Sequence, residues 1–210
     1  MEKVAKKVAS LLLEIKAIKI QPNDPFTWAS GWKSPIYCDN RLSLSHPSVR
    51  TYIKNALAMR IQELYPEADA IAGVATAGIP QGALVADSLN LPLLYVRSKP
   101  KGHGMTNMIE GEAPKGSKVV VIEDLVSTGG SSLKAVTALK EAGYEVLGMM
   151  AIFTYDFPVA EKNFTAADVT LTTLSDYNYL LELALEQDYI QDSAVASLKS
   201  WREAPDVWGK

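Results

Sequence analysis

The chain has one cysteine, Cys38, so no intrachain disulfide can form, and a reducing compartment is the simpler setting. Long apolar runs are missing: none reaches the length needed to span a membrane. The N-terminal lysines followed by "LLL" do not make a signal peptide. Glu14 and Lys16 interrupt the apolar stretch, and no small-residue cleavage site follows. Val4, Val8, Leu11, Leu12 and Ile15 fall at helical spacing, which predicts an amphipathic surface helix. There is no excess of positive charge. A formal net charge of −3 argues against nucleic acid held by bulk electrostatics, so any bound anion must be caught by local groups. Repeats and low-complexity segments are also absent. These absences describe a soluble, cytoplasmic protein with no membrane or nucleic-acid partner.

What is present is a globular composition. The 210 residues are 48% hydrophobic and 21% charged, enough for one domain with a full core. Helices are expected near 48–64 (Val49, Ile53, Leu57, Ile61 and Leu64 on one face), 79–89 and 130–141, the last ending at Gly143. Short apolar strands are expected at 69–74, 91–96, 119–122, in "EVLGMMAIF" and in "DVTLTTL". Strands alternating with helices from 69 to about 174 predict an α/β fold with a central parallel sheet flanked by helices. Residues 1–68 would form an N-terminal cap or hood, 69–174 the core and 175–210 C-terminal helices, all in one domain. Loops 75–78, 97–118 and 123–131 each follow a strand, so a parallel sheet brings all three to its carboxyl edge, where ligands bind.

The most informative stretch is "VVVIEDLVSTGGSS", 119–132. Glu123 and Asp124 stand at a strand end, where the backbone can turn both toward one ligand. Paired carboxylates accept hydrogen bonds from vicinal sugar hydroxyls and stabilise positive charge at a sugar carbon. Leu125, Val126, Ser127, Thr128, Gly129, Gly130 and Ser131 then lead into a helix whose first N–H groups lack internal partners and favour a phosphate. A ribose phosphate satisfies both halves, whereas a plain N-capped turn needs neither the acid pair nor the glycines. The spacing is not that of a Walker A loop or a dinucleotide fingerprint.

Three further stretches bear on chemistry. Residues 96–118 form a long, weakly apolar segment in which Arg97, Lys99, Lys101 and His103 cluster. It suits a mobile lid that carries positive charge to a diphosphate and excludes water; alone, it also reads as a solvated loop. "FTWASGWKSPIYCDNRLSLS", 26–45, offers aromatic and small groups for a cap over a planar base, or simply a structural lobe. "GVATAGIPQGALVA", 73–86, allows backbone donors to meet a phosphate, or is a tight strand-to-helix turn. His46, Cys38, Tyr177 and Tyr179 read as structural residues.

The segment 119–132 resembles the phosphoribosyl pyrophosphate (PRPP) signature of type I phosphoribosyltransferases. "SG-x-KSP-x-Y-x-D-x-R" and the order Arg97, Lys101, His103 resemble orotate phosphoribosyltransferases, over about residues 20–155. The resemblance implies a type I phosphoribosyltransferase-like sheet with a hood, and transfer of ribose 5-phosphate from PRPP to orotate, giving orotidine 5′-monophosphate and pyrophosphate in pyrimidine biosynthesis. It implies that PRPP is held by Arg97, Lys101, His103 and residues 123–131, with Lys101, Glu123 and Asp124 catalytic and Ser127 also near orotate. Mg²⁺ would be held mainly by PRPP and water, without protein ligands. The lid would reach the partner's site in a homodimer. Ser98, Ala29, Thr76 and Ala77 differ from the lysines and tyrosine of some relatives, and "AIFTYDF" lacks an arginine that some carry. A phosphoribosyltransferase for a purine or uracil is the near alternative, disfavoured by "SGWKSPIY". A PRPP-sensing regulator is the other, disfavoured by the acidic charge and the absence of an appended binding domain.

Overall fold

The computed structural model describes residues 2–99 and 108–209. The chain opens with α1 (Glu2–Glu14) and two small antiparallel ribbons. In these, β1 (Ile18–Ile20) pairs with β4 (Ile36–Cys38), and β2 (Phe26–Thr27) pairs with β3 (Lys33–Ser34). A 3₁₀ turn, Asn40–Ser45, is capped by the Asp39 carboxylate and leads to α2 (Pro47–Leu64). Pro47 suits a first helical position because its missing N–H would have no partner there.

The remaining elements alternate: β5 (Ala70–Val74), α3 (Gly78–Leu89), β6 (Leu93–Val96), β7 (Ile109–Glu110), β8 (Lys118–Val126), α4 (Gly130–Glu141), β9 (Glu145–Thr154), α5 (Pro158–Ala166), β10 (Leu171–Asp176), α6 (Tyr177–Glu186) and α7 (Asp192–Glu203). Six strands form one sheet in the order β10-β9-β8-β5-β6-β7, parallel except for β7 against β6.

Successive strand residues feed opposite faces of that sheet. Val120, Ile122, Met150 and Ile152 join a core with α1, α2, α3, α6 and α7. Val119, Val121, Met149 and Ala151 join a second core with α4 and α5. Burial on both faces is why these strands are almost wholly apolar. The chain runs from β5 outward to β6, then returns to place β8 on the other side of β5. That reversal opens a crevice at the carboxyl ends of β5 and β8, with α3 and α4 on opposite faces.

Several elements differ from expectation. The strand expected at 119–122 runs on to Val126, because β9 continues to pair with it as far as Val126–Thr154 after β5 has ended. The long segment after Val96 returns to the sheet as β7, which pairs Tyr95 with Glu110. α5 was not expected; it buries only Ala160 and Phe164, too few apolar positions to set a period. The hood strands are two or three residues long and below the reach of pattern reading. α1 is set into the core, with Val8 and Leu12 fully buried, while Leu64 at the end of α2 stays exposed.

Candidate active site

The crevice begins with close backbone contact. A Cβ at Gly78 would lie 2.5 Å from the Ile122 carbonyl oxygen, so only glycine lets the first turn of α3 rest against β8. The small residues of 73–82 therefore bring two strand-to-helix turns side by side. The turn from β5 to α3 includes a cis peptide at Ala75–Thr76.

Glu123 and Asp124 lie within β8, not beyond it. Glu123 is only 6% exposed, and its carboxyl is held at both oxygens: Ser132 Oγ donates to one (2.9 Å) and the Asp124 backbone N–H to the other (3.0 Å). Burial first, then the neighbouring Asp124 charge, raises the Glu123 carboxyl from 4.5 to about 8. Burial also raises Asp124, opposed by a hydrogen bond from Glu123 and by the Arg41 charge. Glu123 is thus held protonated at neutral pH, beside an Asp124 whose carboxyl burial also raises. The Asp124 carbonyl accepts from Asn40 Nδ2 at 2.7 Å. Asn40 is itself fixed by Ser43, whose hydroxyl donates to the Asn40 carbonyl and accepts from Gln81 Nε2.

The loop that follows turns into α4 at Gly129, which has a φ of +81°. No side chain caps α4, so its first N–H groups remain available to an anion. Asn163 Nδ2 of α5 donates to the Thr128 carbonyl (2.9 Å), and Thr154 Oγ1 donates to the Val126 carbonyl (3.2 Å), so the loop is braced from outside.

Cavities open on both sides of this loop. On the β6 side, a cleft of about 510 Å³ runs along α4 and brings Arg97 and Ser98 against Gly130, Ser131, Val74 and Ala75. Arg97 follows β6; its N–H bonds to the Met108 carbonyl (2.8 Å) and its guanidinium lies 3.6 Å from Glu110. On the hood side, a cavity of about 280 Å³ is walled by Thr27, Trp28, Tyr37, Leu125, Ser127 and Tyr155, with Ala29 and Cys38 completing it. Trp28 lies 5.1 Å from Tyr155 and 5.8 Å edge-on from Trp201 of α7, so the hood is held by aromatic contacts that reach the C-terminal helix.

Glu123, Asp124 and residues 125–131 thus lie along one strand and its turn, with Arg97 across the cleft from Gly130 and Ser131. Lys101 and His103 lie outside the described residues. Sequence reading did not single out Asn40, Ser132 or Tyr155; their roles depend on contacts from distant parts of the chain. The second serine of "GGSS" was the one local signal for Ser132. Burial and then the Asp124 charge push the Cys38 thiol well up, away from the reactive thiolate. Tyr177 is a buried residue whose hydroxyl donates to the Leu198 carbonyl (2.8 Å).

Known proteins share this sequence pattern and fold. A family model described as a phosphoribosyl transferase domain matches residues 44–178. Orotate phosphoribosyltransferase of Porphyromonas gingivalis is 58% identical, with both chains covered in full. That of Listeria innocua is 57% identical over 99% of each chain. The crystal structure of orotate phosphoribosyltransferase from Aeropyrum pernix superposes with a TM-score of 0.76 at 29% identity, covering 88% of this chain and 99% of that one. With full-length relatives at this identity and a phosphoribosyltransferase sheet beneath them, the chain belongs to the orotate phosphoribosyltransferase family, a family of pentosyltransferases.

Proposed function

We propose that the chain transfers the 5-phosphoribosyl group of PRPP to orotate, giving orotidine 5′-monophosphate and pyrophosphate, and that the crevice above is where it does so. The supporting observation is that one loop borders both cavities: Leu125 and Ser127 face the hood, Gly130 and Ser131 face Arg97, and the acid pair leads into it. In this reading the 5-phosphate sits on the N–H groups and hydroxyls of 127–131. Orotate lies between the aromatic walls of the hood cavity beside Ser127. The diphosphate points to Arg97, with Lys101 and His103 completing the positive lid from a partner subunit.

The reaction needs little acid–base chemistry, because orotate is already an anion. Bond breaking at the anomeric carbon builds positive charge on the ribose as negative charge builds on pyrophosphate. Asp124 accepts from a ribose hydroxyl and opposes the first charge; Glu123, protonated and anchored by Ser132, holds Asp124 in place. Arg97 opposes the second. Positioning between two rigid strands supplies much of the remaining acceleration.

Among the described residues, no cluster of three His, Cys, Asp or Glu side chains is of a kind that holds a metal ion. Mg²⁺ would be carried on PRPP oxygens and water, and the Asp124 carboxylate at the crevice would accept from its hydration shell. Such an ion would neutralise the leaving diphosphate.

The test is turnover with Mg²⁺, PRPP and each of orotate, uracil and hypoxanthine. Orotate should disappear with one pyrophosphate released per base. Turnover of uracil or hypoxanthine without turnover of orotate would overturn the reading.

A further inference from the structure

We infer that Lys33 is the counter-ion for the base carboxylate in the hood cavity, and the group that makes the site prefer an anionic pyrimidine to its neutral analogue. The inference rests on the orotate reading above. Among the described residues, the walls of that cavity carry no charged group: Thr27, Tyr37 and Ser127 are neutral, and the rest are apolar or aromatic apart from the Cys38 thiol. A carboxylate placed there without a partner would lose its hydration with nothing in return. Ala29 lines the same cavity with only a methyl group.

Lys19, Arg41 and Lys33 all stand near wall residues of the cavity; Lys19 faces Tyr37 across its ribbon without a hydrogen bond to the cavity wall among the described residues. Arg41 is committed, since its guanidinium grips both oxygens of Asp39 at 2.6 and 2.9 Å. Lys33 is not. It pairs across the hairpin with Thr27, and its ammonium donates to the Thr27 hydroxyl at 2.8 Å. No carboxylate among the described residues pairs with it. A wall residue of the cavity therefore holds an uncommitted ammonium by a neutral hydrogen bond. Exchanging that bond for a charge-assisted one to a carboxylate needs only rotation of a four-carbon stem.

The experiment compares two product nucleotides that differ only in the carboxylate. Titration calorimetry would measure orotidine 5′-monophosphate and uridine 5′-monophosphate binding to wild type, Lys33→Met and Lys33→Arg. Lys33 is exposed, so folding is checked simply by circular dichroism. Wild type should bind the carboxylated nucleotide at least about tenfold more tightly. Lys33→Met should lower that affinity about 10- to 100-fold and leave the other nucleotide within about twofold, and Lys33→Arg should recover most of the loss. Equal loss for both nucleotides, or no loss for either, overturns the inference. Wild-type protein that turns over orotate yet binds both nucleotides equally overturns it as well. Failure to turn over orotate at all instead removes the reading beneath it.

Discussion

Glu123→Gln should make the protein more stable relative to wild type as pH rises, while impairing activity. Burial and the Asp124 charge raise the Glu123 carboxyl from 4.5 to about 8, so between these values the folded state binds a proton that the unfolded chain has released. Stability must then fall as pH rises through that window. Between pH 5.5 and 8 the loss from this one group comes to about 3 kcal/mol. In a chain of this size that is roughly 6–12 °C in Tm. Glutamine resembles the protonated acid: it can donate to Asp124 and accept from Ser132 or the Asp124 N–H, but it cannot ionise. Any misfit of the amide against its three neighbours is the same at every pH. The diagnostic quantity is therefore the change in the wild-type-to-variant difference, measured by urea unfolding at pH 5.5, 6.5 and 8. A difference that stays constant to within about 0.5 kcal/mol would refute the protonated state of Glu123.

Two other outcomes follow. Gly129→Ala puts a Cβ on a left-handed residue 2.7 Å from the Phe164 ring, so it should cost about 1–2 kcal/mol in backbone strain alone and raise the PRPP KM more than the orotate KM; equal KM values for wild type and variant would separate this turn from phosphate binding. On the partner-lid reading proposed above, mixing Lys101→Ala with Asp124→Asn, each poorly active alone, should restore activity as subunits exchange; no recovery would count against that reading.

The motif at 119–132 could be read because its chemistry is local: strand, acids, glycines and helix follow one another along the chain. The strand's true length could not, since Glu123 to Val126 stay extended through pairing with β9 some thirty residues away. The acid pair's supports are equally non-local. Asn40 reaches Asp124 from the hood, and Tyr155 and Trp201 meet Trp28 from β9 and α7. Nothing in the spacing of "CDNR" marks its asparagine as a bond to a strand more than eighty residues on. β7 is only two residues long and exists because β6 offers it an open edge, so the segment after Val96 read as one continuous loop. Conversely, α2 and α3 were legible almost to the residue, because their apolar periods are long and their ends carry Pro47 and Asn90.

We propose above that the acid pair and the hood cavity serve one reacting sugar. Steady-state transfer to orotate by Asp124→Asn tests it most directly, with orotidine 5′-monophosphate binding measured alongside. kcat should fall by about 10²–10³, because the asparagine cannot oppose the ribose charge, while nucleotide binding should change by less than about tenfold. Turnover within about threefold of wild type would contradict it.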